Sequence, residues 1–179
     1  MTQEVNQWRA FNHPDGSVRD LSFLDAHQVV YVQRQEGKAD LEYKFWVTYS
    51  FHCFTKDYAH QSAEVKEALM YHAARDSRPF CEKRYVLAQA HLRAAILSLG
   101  ESKVIHGGYE SYAVVEVNTG EDEVEHYFIS FKVFREKKKL RLHVQSAYPV
   151  SERPNGRAVK FFAIAFNLLR GRPLPKPPK

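Results

Sequence analysis

The sequence predicts an α+β fold: a twisted antiparallel sheet of about five to six strands packed on one main α-helix. Twelve Phe and ten Tyr among 179 residues favour strands over a helical bundle. Several segments alternate apolar and polar residues, whereas only one long segment carries an apolar stripe at helical spacing.

Taken in order, residues 1–26 read as an irregular extension, with a turn at His13-Pro14-Asp15-Gly16 and apolar anchors at Trp8, Phe11, Leu21, Phe23 and Leu24. His27–Gln33 and Leu41–Phe54 then form a hairpin across a loop at 35–40. In its second strand Leu41, Tyr43, Phe45, Val47, Tyr49 and Phe51 share one face. Residues 56–76 are a charged excursion with a short strand around Ala68–His72. A helix follows from about Arg78 to Leu99, with Ser77 as N-cap, Pro79 in the first turn and Gly100 as the stop. Tyr85, Ala88, Leu92, Ile96 and Leu99 make its stripe.

Three strands come next, Tyr109–Val117, Glu125–Phe134 and Leu140–Ala147, as an antiparallel meander. The last is the most informative, because Leu140, Leu142 and Val144 alternate with Arg141, His143 and Gln145. Val159–Leu169 is apolar nearly throughout, so periodicity leaves buried strand and helix both open, and Phe161, Phe162, Ile164 and Phe166 favour a strand. Residues 1–171 are expected to be one domain, and the Pro-rich 172–179 an extended tail.

A net charge of +5 makes an anionic partner plausible, nucleic acid being the commonest. Cys53 and Cys81 lack paired spacing, so neither a disulfide framework nor a zinc site is expected. No metal or other cofactor is assigned. The N-terminus has no signal-peptide pattern and no apolar run is long enough to cross a membrane, so the chain reads as cytoplasmic, without a membrane partner.

The candidate chemistry is metal-independent RNA cleavage. It needs a base, an acid, and cations for the charge on phosphorus. His52 and His143 are assigned proton transfer, Arg84 and Arg141 phosphate stabilisation, and Tyr148 substrate positioning or proton donation. Lys139, Ser146, Tyr85 and Arg78 are the candidate substrate contacts. Each has a bland counterpart: charge pairs on a solvated sheet face, a core-edge histidine, acids pairing the arginines. The alternative function is a non-catalytic module that binds nucleic acid or protein on the same basic face, or a phage–host adaptor whose tail docks elsewhere. Arg84 and His91 fit loosely the spacing of the helical HEPN ribonucleases, which the strand-rich remainder argues against.

The segments Phe51–Thr55, Arg78–Tyr85 and Leu142–Pro149 resemble little-characterised bacterial proteins of the stationary-phase growth adaptation type, many of them in prophage regions. At the level of fold the chain is similar to RNase toxins of the RelE, BrnT and barnase-like kinds. In those a late strand runs into an ending like Gln145-Ser146-Ala147-Tyr148. That likeness implies an RNA site lined by Arg141, His143, Ser146 and Tyr148, and an antitoxin or other protein partner. Two departures stand out: this chain is long for such a toxin, and Tyr148 replaces the Arg of the Ser-Ala-Arg type. Substrate, cleavage specificity and oligomeric state are not legible in the sequence.

Overall fold

The computed structural model describes residues 4–74, 76–108, 111–119 and 124–176. In chain order the strands and helices are β1 (Phe11–Asn12), β2 (Val18–Arg19), β3 (His27–Gln33), β4 (Leu41–Tyr49), α1 (Ala63–Ala68), β5 (Met70–His72) and β6 (Ser77–Pro79). They continue with α2 (Glu82–Leu87), α3 (Arg93–Leu97), β7 (Val104–Gly108), β8 (Ser111–Thr119), β9 (Val124–Glu136), β10 (Lys139–Val150), β11 (Ala158–Val159) and α4 (Phe161–Leu169).

Seven strands form one sheet in the order β11-β7-β8-β9-β10-β4-β3. Every neighbouring pair is antiparallel except β10 and β4, which run parallel. The expected antiparallel sheet on one main helix is therefore wrong: the sheet is mixed and larger, two two-stranded ribbons accompany it, and more than one helix packs on it. The cause is a long-range pairing, β4 with β10, across a connection that leaves no local signal.

The sheet's inner face carries Val29, Tyr31, Tyr43, Phe45, Val47, Tyr49, Tyr127, Ile129, Phe131, Val133, Leu142 and Val144, all buried. Each strand supplies alternate residues to it, as the pleat dictates. The stripe Tyr85, Ala88, Leu92, Ile96 and Leu99 is likewise buried. Two helical segments carry this stripe, α2 and α3, joined by a π-helical turn at Ala88–Leu92. Their start is later than expected. Ser77, Arg78 and Pro79 pair with His72, Tyr71 and Met70 as strand β6, and the helix begins at Glu82 after Cys81.

Of the two readings left open for Val159–Leu169, the favoured strand gives way to the helix. Residues Phe161–Leu169 form α4, which buries Phe161, Ile164, Ala165 and Leu168. That is the i, i+3, i+4, i+7 spacing of a helix, masked in the sequence by half-buried Phe162 and Phe166 on its flanks. Phe161 packs against Tyr31 and Phe45, ring centroids 4.6 and 5.8 Å away. Beyond α4, Tyr112 and Asn167 donate hydrogen bonds to the Pro175 and Pro173 carbonyls, holding the last described residues against the body. No helix among the described residues is long and apolar enough to cross a membrane.

Two irregularities in the β9–β10 hairpin shape its outer face. The turn uses Lys137 and Lys138 at φ 47° and 66°, the paired left-handed conformations of a two-residue hairpin turn. Farther along, the register shifts between Val144 and Ser146. This bulge restarts the alternation, so Ser146 and Tyr148 face the same side as Arg141 and His143, opposite Ser130 and Phe128.

Candidate functional site

The outer face of β9 and β10 floors a cleft of about 1110 Å³. Glu4, Val5, Asn6 and Trp8, together with Ala73, Ala74 and Asp76, form its other walls, with Ser50, Phe51 and His52 at the end of β4. The chain leaves β4 here because Ser50 donates its backbone N–H to Val144 and its hydroxyl accepts from His52 N, starting a 3-10 turn at Phe51–Cys53. That turn sets His52 at the margin of β10. Trp8 is anchored edge-on against Phe54, 5.2 Å between centroids, which fixes the N-terminal wall.

Of the expected catalytic residues, His52, His143 and Arg141 line this cleft. His143 is 7% exposed, sits opposite Lys132 on β9, and bonds through Nδ1 to Thr48 Oγ1 at 2.9 Å. Burial, aided by the Lys132 charge, pushes its pKa down to about 4, so the ring is neutral near pH 7. His52 Nδ1 accepts a hydrogen bond from Arg78 Nη1, which puts the ring proton on Nε2. Burial and then the Arg78 and Arg84 charges lower its pKa too. Arg141 is held by Glu4 at 3.0 Å and by Glu136 at 2.9 Å, so two carboxylates already neutralise it.

Arg84 and Tyr148 come together, but outside the lining of the cleft. The Arg84 guanidinium lies over the Tyr148 ring at 5.1 Å and donates to the carbonyls of His52 (2.8 Å) and Thr55 (2.9 Å). It is thus a clamp on the turn that carries His52. Desolvation lowers its pKa from the usual arginine value.

Among the expected substrate contacts, Arg78 reaches the site only through His52, and Ser146 faces Ser130, with 3.4 Å between hydroxyls. Tyr85 is buried in the core against Phe23 and Phe80, where no substrate reaches it. Lys139 is exposed beside the hairpin turn. Cys53 is buried, and desolvation raises its thiol to about 12, which removes it as a nucleophile at neutral pH. No group of three or more His, Cys, Asp or Glu side chains placed to hold a metal occurs among the described residues.

Several cleft residues escaped the sequence reading: Lys132, Phe134, Asp76 and Glu4. The first two were accessible in principle, since they alternate with buried Phe131 and Val133 on β9. Lys132 has no ion pair among the described residues, and Phe134 is 38% exposed.

A family model matches residues 8–169, spanning the cleft and nearly the whole sheet. The chain belongs to the YjaZ family. It is 64% identical over 179 residues to Protein YjaZ of Escherichia coli (strain K12), covering all of both chains. No solved structure matches. This assignment replaces the resemblances drawn from the sequence. Neither the prophage stationary-phase type nor a RelE-, BrnT- or barnase-like toxin family is indicated.

Proposed function

We propose that this chain binds single-stranded RNA in the cleft on the outer face of β9 and β10 without cleaving it. The observation that supports this most directly is the pair Lys132 and Phe134, successive outward residues of β9 that both line the cleft. An exposed aromatic ring beside an ammonium with no ion pair among the described residues suits a stacked base and its phosphate. Gln145 and Asn6 on the walls add hydrogen-bonding groups for base edges, and the Lys137–Lys139 run adjoins Glu136 at the cleft margin.

Chemistry weighs against cleavage. A general acid–base pair needs one imidazole protonated and a base with a pKa near the working pH. Here both imidazoles are shifted towards the neutral form, and the two arginines assigned to phosphate are committed to Glu4, Glu136 and backbone carbonyls. What remains is a mixed aromatic and polar groove, lined also by Glu4, Asp76 and Glu136, in which Lys132 has no ion pair among the described residues.

The test is incubation of total RNA with the pure protein in EDTA, beside His52→Ala and His143→Ala. The expected result is intact RNA retained by all three proteins, with retention falling as salt rises. Cleavage by the wild type that disappears in both variants would reinstate the catalytic reading.

A further inference from the structure

The two edges of the main sheet are built differently. One is β11, two residues long, preceded by Arg153-Pro154-Asn155-Gly156-Arg157. Short strands, prolines and charges are the usual devices that keep an edge from pairing with another chain. The other edge is β3, seven residues that read His27-Gln28-Val29-Val30-Tyr31-Val32-Gln33. It contains no Lys, Arg, Asp, Glu or Pro, and its register with β4 runs without a bulge. Among the described residues no other element hydrogen-bonds to the backbone of residues 28–33, so β3 presents an open row of donors and acceptors. Its solvent-side residues Val30 and Val32 are 41% and 45% exposed.

We infer that β3 pairs antiparallel with β3 of a second copy, joining two seven-stranded sheets into one. The sequence of the strand selects this occupant. With Val30 on the two-fold axis, His27 faces Gln33, Gln28 faces Val32 and Val29 faces Tyr31. This register keeps every core residue on the core side and groups Val30 and Val32 of both copies on the outer side. No like charges oppose each other. Immediately beyond the strand, Arg34 of one copy falls opposite Ala26 of the other and Gln35 opposite Asp25, so like charges stay apart there too. An isologous contact of this kind closes at two subunits and does not propagate. The interface is small, so a weak dimer with Kd on the order of 10 μM is expected.

Sedimentation equilibrium tests it, with wild type, Val30→Lys and Val30→Cys compared after circular dichroism has shown each to be folded. Val30 is solvent-exposed, so the lysine leaves the core untouched while setting two ammonium groups against each other on the axis. Wild type should rise from one 20.8 kDa chain towards twice that mass with concentration, and Val30→Lys should stay at one. Val30→Cys should form a disulfide-linked dimer on oxidation that wild type, with both its thiols buried, does not form. A wild type that stays monomeric to its solubility limit, a Val30→Lys protein that still dimerises, or a Val30→Cys protein that fails to cross-link overturns the inference.

Discussion

Thr48 and His143 face each other across the parallel β4–β10 pair, Oγ1 to Nδ1 2.9 Å apart, and both are buried. The hydroxyl satisfies one ring nitrogen, so the imidazole sits in a sheet interior as a neutral, hydrogen-bonded side chain. The residue that most resembled a catalytic base in the sequence is therefore buried and hydrogen-bonded at the cleft, with a pH signature.

The sign of that signature follows from its lowered pKa. Unfolded, His143 takes up a proton near pH 6.5; folded, only near pH 4. Its contribution is complete above about pH 6.5 and is lost as pH falls towards 4, amounting to about 3 kcal/mol in total. Urea denaturation between pH 7 and 4 should show wild type losing more stability than His143→Gln. Parallel curves would place the histidine in solvent.

Arg84 should matter to stability more than an exposed arginine. Arg84→Met strips the His52 and Thr55 carbonyls of their donor and removes the contact with Tyr148, costing on the order of 2 kcal/mol. Arg84→Lys should recover only part, because one ammonium cannot reproduce the planar fork and the stack. Thermal melts equal to wild type for both variants would contradict the clamp.

The β9–β10 turn holds a residue pair ill suited to its backbone. Lys137 and Lys138 both occupy left-handed φ, at a cost of about 1 kcal/mol each for residues with a Cβ. Replacing the pair with Asn-Gly should stabilise the protein by roughly 1 kcal/mol, seen as a raised urea midpoint with an unchanged m-value.

How far the sequence could be read depended on whether the information was local. The alternation of Leu140 to Gln145 placed Arg141 and His143 on one outer face, where the cleft lies. The bulge that brings Ser146 and Tyr148 to that face has no composition signal, because no Gly or Pro marks it. Of the two carboxylates that hold Arg141, only Glu136 is near in sequence, and Glu4 lies at the other end of the chain. The parallel β4–β10 contact was invisible for the same reason, and with it Thr48 as the partner of His143. At Phe161–Leu169 the helical spacing was present but diluted by apolar flanks. Lys132 was passed over because a lone lysine on a strand is ordinary until its neighbours and missing partners are known.

Binding of single-stranded RNA in the cleft is tested by fluorescence anisotropy of a short labelled strand, titrated with wild type, Lys132→Ala, Phe134→Ala and Lys38→Ala in EDTA across a salt series. Lys132→Ala should weaken binding several-fold and lower the salt slope by about one, as loss of a phosphate contact requires. Phe134→Ala should weaken binding by about 1 kcal/mol or more with the slope unchanged, as loss of a stacking platform requires. Lys38→Ala, in the distant β3–β4 loop, should bind as wild type. No binding by the wild type, or equal losses from Lys132→Ala and Lys38→Ala, would contradict a specific site in the cleft.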